Sequence, residues 1–286
     1  MFRILLVFAV GLALTGGAFA APDAPISSRL RTIAAKKSIK IAYRADATPF
    51  SYKKDNEPVG YSIDLCKLVA ASMARQEKID NLKIEWVPVT SATRFEAVQK
   101  NRADMECGSS TITLGRMREV DFSSVIFVET TGVVVKSDSG INAAPNLSGK
   151  KIAAIAGTTN EQALVSLKRQ GKLDVTLVQV RDRADGIAAV NDGRADAFTS
   201  DKLLLVGTDV SGSAALKMLP DDLSFEPYAI VLPRGDWALR RAVNAGLAEA
   251  YRSGHARDVF GKWFDQLGLK PSGLMTAVYQ LGALPE

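Results

Sequence analysis

From residue 39 onward the chain alternates short apolar runs with longer amphipathic segments, and this alternation limits the folds that it can adopt. Residues 39–43 have the apolar character of a buried strand, residues 60–75 carry apolar side chains at helical spacing, and residues 83–89 return to a strand pattern. The alternation restarts at residue 150 and continues to residue 199. The pattern therefore predicts an α/β protein with two units, each built on a sheet with helices against its faces.

The composition argues against two classes of function. The 286 residues include a single His and two Cys, which are too few for the clustered ligands of a structural zinc site. Catalysis of the Ser/His/Asp or Cys/His type would likewise depend on one imidazole. The net charge of +5 is mild and the basic residues are dispersed, so we expect no nucleic-acid partner. We expect no metal ion and no cofactor.

The first twenty residues are typical of a secretory signal peptide. A basic start at Arg3 precedes an apolar run from Ile4 to Leu14, and residues 18–20 have the small-x-small pattern of a cleavage site. The apolar run is about eleven residues long, whereas a membrane span needs roughly twenty. We therefore expect export to the periplasm with cleavage near Ala20.

Polar residues follow the predicted strands, which is where open α/β sheets place their ligands. The segment 107–116 follows one strand, contains Gly108 and several hydroxyl side chains, and ends at Arg116. A guanidinium group offers two parallel N–H donors to a carboxylate, so this segment can seat one. A Ser/Thr-rich turn without a ligand has the same composition, so the segment alone does not decide between the two interpretations.

Two further candidates belong to the second unit. Thr158 and Thr159 stand between a strand and a helix, where unpaired N–H groups and a partial positive charge favour an anion. Ordinary N-capping by either Thr is the alternative. Asp201 follows the predicted strand 195–199, where its carboxylate could meet an ammonium group or could simply lie at the surface.

Arg44, Ser91 and Arg94 also follow predicted strands of the first unit. Arg44, Arg94 and Arg116 are thus three arginines that follow strands of the same unit. Such a group is typical of a site for an anionic ligand rather than of a solvated face.

At these residues the chain resembles the periplasmic amino-acid-binding proteins of ABC importers, solute-binding family 3, and within them the glutamate/aspartate-binding branch. The matching segments are Arg44 with 48–52, 59–65, 88–94, 106–116, 121–123, 126–128, 157–159 and 262–264. The resemblance implies the two-lobed periplasmic binding protein fold with two hinge crossings. Residues 24–130 and 230–286 are then lobe 1 and residues 131–229 are lobe 2, with crossings near Thr130 and Pro227.

The resemblance also implies a role for each candidate residue. Arg116 and the amide of Thr111 would hold the α-carboxylate of an amino acid, with Thr158 or Thr159 contributing from the facing lobe. Asp201 would hold the α-ammonium group.

The remaining implied roles concern lobe 1. Ser109 would join Asp201 at the α-ammonium group. Arg44, Ser91 and Arg94 would hold a side-chain carboxylate, which is the feature that separates the acidic branch from neutral and basic relatives.

One position departs from the branch, because Arg183 stands where the branch has a His after a strand of the second lobe. Counting Arg183, four arginines face only Asp201, which gives a pocket of net charge +3 for a ligand of net charge −1. Uncompensated buried charge is costly. We therefore expect Arg183 to turn to solvent, to pair with Asp182 or Asp185, or to recognise a ligand more anionic than glutamate.

Cys66 and Cys107 are the two thiols of the chain, and both belong to the first lobe. Because thiols oxidise outside the cytoplasm, we predict a disulfide between them, with two separate buried thiols as the alternative. The bond would brace the loop that begins at Gly108.

The expected function is therefore non-enzymatic. A monomer captures an acidic L-amino acid (glutamate or aspartate) between its lobes and delivers it to the membrane permease of an ABC transporter. The alternative is a periplasmic dehydratase of the cyclohexadienyl type on the same scaffold. That enzyme needs a general acid in the cleft, for which Glu106 and Glu161 are the candidates.

Overall fold

The computed structural model describes residues 28–207 and 215–285. The predicted signal peptide and its cleavage site near Ala20 lie outside these residues. Within the described ranges, no helix combines the length and the apolar character that a membrane span requires.

The predicted α/β fold is confirmed, and nine strands of the described residues form one mixed sheet. The strands within the predicted lobe 1 are β1 (Ser38–Arg44), β5 (Lys83–Val89) and β6 (Met105–Glu106). Those within the predicted lobe 2 are β8 (Lys151–Ile155), β9 (Thr176–Val180), β10 (Ala197–Asp201) and β11 (Leu216–Met218), and both β7 (Val120–Lys136) and β12 (Phe225–Pro233) run through the two lobes. A small separate sheet contains β2 (Asp46–Ala47), β3 (Ser51–Lys54) and β4 (Glu57–Val59).

The neighbours in the large sheet follow the order β5-β1-β6-β12-β7-β10-β8-β9, with β11 also paired to β7. Strands β5, β1 and β6 are mutually parallel, as are β10, β8 and β9, whereas β7 and β12 run antiparallel to their partners. The carboxyl ends of β1 and β5 and those of β8 and β10 therefore belong to different lobes, and both sets can contribute to a site between the lobes.

Nine helices of the described residues cover the faces of the sheet. They are α1 (Arg29–Lys36), α2 (Tyr61–Gln76), α3 (Arg94–Gln99), α4 (Thr159–Arg169), α5 (Arg183–Asn191), α6 (Lys202–Val206), α7 (Trp237–Ser253), α8 (His255–Phe264) and α9 (Gly273–Gly282). Their apolar faces, together with the strands, build the cores described next.

Each lobe has its own apolar core. In the second lobe the sheet is covered on both faces, so that Val133 and Val135 of β7 pack in one cluster and Val134 between them packs in another. In the first lobe the core centres on aromatic rings. The ring centroids of Phe50 and Phe127 are 4.8 Å apart, and Phe127 lies 5.2 Å from Phe264.

Strand β7 is longer than the sequence pattern predicts. The apolar run at residues 132–136 is its last part only, and the strand begins at Val120 because its earlier half pairs with β12. The partner of the strand changes at one point: Thr130 pairs with Phe225 of β12, whereas Thr131 pairs with Asp201 of β10. This change falls where the sequence places the first crossing, although the lobe boundaries themselves remain a prediction.

Candidate ligand-binding site

A cavity of about 20 Å³ lies between the lobes, and we call it the cleft cavity. All ten residues that the sequence analysis proposed for ligand binding line this cavity. These are Arg44, Ser91, Arg94, Ser109, Thr111, Arg116, Thr158, Thr159, Arg183 and Asp201. Four more lining residues were not predicted, namely Ile155, Asn160, Ser200 and Leu204. The structure thus brings the predicted set together, while the binding role of each residue remains a proposal.

The predicted disulfide is present and anchors the loop that enters the cavity. Cys107 at the start of this loop is bonded to Cys66 of α2, and the hydroxyl of Ser62 on the same helix donates to the carbonyl of Gly108 at 2.7 Å. A Cβ atom at Gly108 would collide with the carboxylate of Glu106. The loop is therefore held close to α2, and it can pass Glu106 only because residue 108 has no side chain.

The other side of this loop is tied to β12. The amide of Ile112 donates to the carbonyl of Pro227 at 2.8 Å, and the amide of Ala229 donates to the carbonyl of Ser110 at 3.0 Å. Thr111 between them is buried and lines the cavity. The position of Thr111 is thus fixed by the backbone hydrogen bonds that its neighbours Ser110 and Ile112 form with β12.

Arg94, the first residue of α3, is a buried guanidinium with few hydrogen bonds. Its Nη1 donates to the carbonyl of Ser91 at 2.7 Å, and the group lies 4.6 Å from the centre of the Phe95 ring. Within the described residues its buried Nε has no hydrogen-bond partner. Burial, followed by the charges of Arg44 and Arg116, lowers the pKa of Arg94 to about 9. An anion next to Arg94 would relieve both penalties.

Arg116 also lies over the ring of Phe95. It is 5.0 Å from the centre of the Phe95 ring, and its Nη1 donates to the carbonyl of Thr111 at 2.8 Å. Its Nη2 reaches the carbonyl of Gly157 in the second lobe at 3.5 Å. Burial lowers the pKa of Arg116, although the charge of Glu226 opposes this shift. Arg116 therefore faces both lobes at the cleft cavity.

The structure contradicts two of the three expectations for Arg183, whereas recognition of a more anionic ligand stays untested. The residue is 4% exposed, so it does not turn to solvent, and it pairs with neither Asp182 nor Asp185. Its Nη2 instead donates to the carbonyl oxygen of Asp46 in the first lobe and lies 3.3 Å from a carboxylate oxygen of that residue. Asp182 caps α5, and Asp185 pairs with Arg194. The two expectations failed because Asp46, which is distant in sequence, was not considered.

Asp46 also holds Arg44. The Nε and Nη2 atoms of Arg44 donate to the two carboxylate oxygens of Asp46 at 2.7 and 2.8 Å. Burial opposes ionisation of Asp46, but the hydrogen bond and charge of Arg44 and the charge of Arg183 outweigh it and lower the pKa of Asp46. Two of the four arginines at the cavity therefore share one carboxylate of the protein.

Among the described residues that line the cavity, four arginines face only Asp201, as expected, but further carboxylates that do not line it interact with these arginines. Beside Asp201, the carboxylates of Asp46, Glu106 and Glu226 interact with the arginines at the cavity. Four carboxylates therefore accompany four guanidinium groups. The carboxylates are unevenly distributed among the arginines. Asp46 is bound to two of them, whereas Arg94 has no carboxylate among its hydrogen-bond partners in the described residues.

Glu226 is a buried carboxylate that sequence reasoning missed. One of its oxygens accepts from the hydroxyls of Thr111 at 2.7 Å and Thr159 at 2.6 Å, and the other accepts from Thr131 at 3.0 Å and Ser224 at 2.6 Å. Thr111 belongs to the first lobe and Thr159 to helix α4 of the second. Glu226 thus joins the two lobes beside the cleft cavity. The sequence signal for it is weak, because a Glu at the start of an apolar strand is ordinary.

The amino terminus of α4 faces the cavity. Thr158 is its N-cap, since its hydroxyl accepts from the amide of Glu161 at 3.3 Å and donates to the carbonyl of Ile155 at 2.6 Å. The capping alternative is therefore correct, yet Thr158, Thr159 and Asn160 also line the cavity. The partial positive charge of this helix end is directed at the space where an anion would lie.

Asp201, the last residue of β10, is a buried carboxylate held by two donors. The side-chain amide of Asn160 donates to one oxygen at 2.5 Å, and the hydroxyl of Tyr228 donates to the other. Burial, followed by the charge of Glu226, raises the pKa of Asp201 to about 6. An ammonium group beside Asp201 would counter both effects and would stabilise the ionised carboxylate.

Comparison with known proteins supports the architecture described above. Residues 39–266 match the family model described as bacterial extracellular solute-binding proteins, family 3. The chain is 32% identical over 258 residues to an L-glutamate/L-aspartate-binding protein of Pseudomonas aeruginosa, covering 87% of this chain and 83% of the relative. A glutamate/aspartate import solute-binding protein of Salmonella typhimurium is 31% identical over 253 residues, with 87% and 84% covered.

A solved structure shares the fold. It is an ancestral amino acid-binding protein described as a precursor of cyclohexadienyl dehydratase, with a TM-score of 0.69 and 27% identity, and it covers 83% of this chain and 100% of that one. The predicted two-lobed architecture is therefore confirmed.

Proposed function

Because this chain belongs to the bacterial extracellular solute-binding proteins of family 3, we propose that it captures an acidic L-amino acid, glutamate or aspartate, between its lobes for an ABC importer. The relatives named for glutamate and aspartate support this choice of ligand. The observation that carries it is the arrangement of charge at the cleft cavity: the buried, under-paired guanidinium of Arg94 and the buried carboxylate of Asp201 line the same space.

We assign each charged group of the ligand to a part of the cavity. Arg116, the amide of Thr111 and the amino terminus of α4 with Thr158 and Thr159 would bind the α-carboxylate, because N–H donors from both lobes meet there. Asp201 would bind the α-ammonium group.

The side-chain carboxylate of the ligand would bind Arg94. Its Nε atom is available as a donor, and Ser91 lies beside it at the cavity wall. Arg44 would add its positive charge, although its own donors are on Asp46. Ser109, which is buried at the same wall, would support the α-ammonium group together with Asp201.

Capture requires the lobes to separate. A cavity of about 20 Å³ has room for about one water molecule, so an amino acid can enter only when the cleft opens. A ligand that contacts both lobes then stabilises the closed form, because its contacts with the two sides exist together only there. Closure would be the signal that the membrane permease recognises.

The cellular setting follows from the same assignment. We propose that the chain is exported to the periplasm, that the signal peptide is cleaved near Ala20, and that the mature protein acts as a monomer with no nucleic-acid partner. These points rest on the N-terminal sequence pattern and on the import roles named for the relatives.

A dehydratase function has less support. It needs a general acid at the ligand, but the described residues that line the cleft cavity include neither Glu106 nor Glu161. Glu106 is buried and accepts from the hydroxyl of Ser110 at 2.8 Å, while Glu161 accepts from the amide of Gly157 at 2.8 Å. Glu106 is thus bound to a side-chain hydroxyl and Glu161 to a backbone amide, and we propose that the protein binds its ligand without converting it.

Isothermal titration calorimetry with the twenty amino acids tests the proposal. We expect saturable binding of L-glutamate and L-aspartate, with glutamine, asparagine and arginine binding at least about tenfold more weakly, since each lacks the second carboxylate. Equal affinity for glutamine and glutamate, or preference for arginine, would contradict the assignment. Aromatisation of arogenate or prephenate by the purified protein would instead establish the enzymatic alternative.

A further inference from the structure

The arginines at the cleft cavity form two pairs. Arg116 and Arg94 lie on the ring of Phe95, at 5.0 and 4.6 Å from its centre. Arg44 and Arg183 share the carboxylate of Asp46. Burial, followed by the charges of Arg44 and Arg116, lowers the pKa of Arg94, and burial, followed by the charge of Arg44, lowers the pKa of Arg183. We call the part of the cavity at Arg44, Arg183 and Asp46 its far end.

The lobes also meet in backbone contact at this far end. Gly207, at the carboxyl end of α6, lies so close to Thr48 that a Cβ atom on Gly207 would collide with the Thr48 carbonyl oxygen. Leu204 of α6 packs into the core of the first lobe. Thr48 is two residues after Asp46, so the contact between Asp46 and Arg183 belongs to a wider region where the lobes touch.

Burial makes the carboxylate of Asp46 necessary at this position. The guanidinium of Arg183 is buried, and its Nε has no hydrogen-bond partner within the described residues. Without Asp46, Arg183 and Arg44 would be two neighbouring buried cations with no carboxylate bonded to either, which is costly. Asp46 itself is 44% exposed at its side chain, so it reaches the pair from the rim of the cleft.

From these contacts we infer that Asp46 determines which acidic ligands fit. Its carboxylate occupies Arg44 and Arg183 at one end of the cleft, so that the side-chain carboxylate of a ligand is limited to the reach of Arg94. The inference rests on the proposed function and deepens it, because it identifies an internal carboxylate that sets the maximum length of the ligand. An α-amino dicarboxylate longer than glutamate would have to compete with Asp46 for the same two guanidinium groups.

The first test compares ligand lengths in the variant Asp46→Asn. Removing the charge frees Arg44 and Arg183, so the dissociation constant for L-2-aminoadipate, which has one more methylene than glutamate, should fall relative to that for glutamate by about tenfold or more. Calorimetry of the parent, Asp46→Asn and Asp46→Ser measures this ratio. The matched control is Asp55→Asn, which changes an exposed Asp in a neighbouring turn. An unchanged ratio in both Asp46 variants overturns the inference.

The second test needs no amino acid. Sulfate is added to the protein at constant ionic strength, and the melting temperature is followed. In Asp46→Asn we expect a saturable rise that exceeds the rise in the parent and in Asp55→Asn by about 2 °C or more, because Arg44 and Arg183 then add to the anion site at Arg94 that all three proteins keep. Equal rises in the parent and in the Asp46 variants contradict the role of Asp46.

The two tests separate this inference from the proposed function. If the parent binds neither glutamate nor aspartate, the proposed function fails, whereas the sulfate titration still reports on Asp46. If the parent binds glutamate but both Asp46 variants keep the parent's preference for glutamate over L-2-aminoadipate, only the inference on Asp46 fails and the proposed function stands.

Discussion

At the scale of single residues, Arg94 should decide between acidic and neutral ligands. The variant Arg94→Ala removes the proposed partner of the side-chain carboxylate, and a charged hydrogen bond contributes roughly 1.5 to 3 kcal/mol. We therefore expect the affinity for glutamate and aspartate to fall by about 10-fold to 100-fold, as measured by calorimetry. Arg118→Ala, a change at an exposed arginine nearby, serves as the control. Parent-like glutamate binding by Arg94→Ala would show that another arginine holds the carboxylate.

Asp201 should make binding depend on pH. Its pKa is about 6, so the carboxylate is increasingly protonated below pH 6 and loses its attraction for the α-ammonium group. Glutamate itself stays largely ionised at pH 5. We expect the affinity at pH 5 to be about tenfold lower than at pH 8, and calorimetry across this range measures it. In Asp201→Asn the affinity should be low at every pH, and an unchanged pH profile in that variant would exclude Asp201 as the titrating group.

The raised pKa of Asp201 also affects the stability of the folded protein. Its effect is opposite to that on ligand affinity, because stability decreases as the pH rises. The folded-state pKa of Asp201 is raised above its ordinary value of 3.8, so between these values the folded protein binds more protons than the unfolded chain. The contribution of Asp201 to the free energy of unfolding of the ligand-free protein therefore decreases as the pH rises through about 4 to 6. Chemical denaturation of the parent and of Asp201→Asn over this range should show the difference between them changing in that direction.

A site residue could be predicted where its side chain directly follows a strand. It could not be predicted where the side chains that it contacts are distant in sequence. Arg94, Arg116 and Asp201 were identified because strand ends converge between two sheets. Asp46 and Glu226 were not, because their partners include side chains more than sixty positions away. One local signal existed for Asp46, since it stands two residues after Arg44 and so falls on the same side of an extended chain.

At the scale of elements, the disulfide between α2 and the cavity loop should stabilise the first lobe. The two Cys are 41 positions apart, and closing a loop of that length in the unfolded chain contributes about 4 kcal/mol. We expect the double variant Cys66→Ser/Cys107→Ser to lose about this much free energy of unfolding in guanidinium denaturation. Added reductant should reproduce the loss in the parent and leave the variant unchanged. Equal stability of both proteins would refute a structural role for the bond.

Some motifs that resemble the family serve packing between elements rather than ligand binding. Asp64 of α2 accepts from Nζ of Lys262 at 2.6 Å and from the indole nitrogen of Trp263 at 2.8 Å on α8. The matching segments around Asp64 and Trp263 are thus joined in space, away from the residues that line the cavity. The sequence could reveal both segments but not that they contact each other.

Several short elements were not predicted from the sequence, in contrast to longer periodic ones. Helix α2 and strand β5 lie where their apolar spacing indicated. Strands β2 to β4 and helix α6 have between two and five residues, too few to establish a period. The first half of β7 was missed because Asp121, Ser123 and Ser124 interrupt its apolar pattern.

At the scale of the whole molecule, the contact between Gly207 and Thr48 should limit how far the lobes close. The variant Gly207→Val places a branched side chain against the Thr48 carbonyl oxygen and would hold the lobes apart. We expect binding of glutamate and aspartate to weaken equally, by about tenfold, because contacts in both lobes can no longer form together. Calorimetry measures the affinity, and small-angle scattering should give a larger radius of gyration with ligand than for the liganded parent.

The control is Gly273→Ala, since a Cβ atom at that helical position meets no neighbouring atom. A selective loss of one ligand in Gly207→Val would point to a local change in the cavity rather than to incomplete closure. The two-lobed organisation itself was predictable from the alternation of strands and helices. The passage of β7 and β12 through both lobes was not, because pairing between distant strands leaves no periodic trace in the sequence.

The position of β12 in the sheet has a consequence for the timing of assembly. This strand lies between β6 and β7, yet it follows the second-lobe strands β8 to β11 in the chain. Residues 225–233 must therefore be synthesised before β6 and the first half of β7 can pair with the neighbour that they share. Until then both strands keep an unpaired backbone edge, which favours association with other chains.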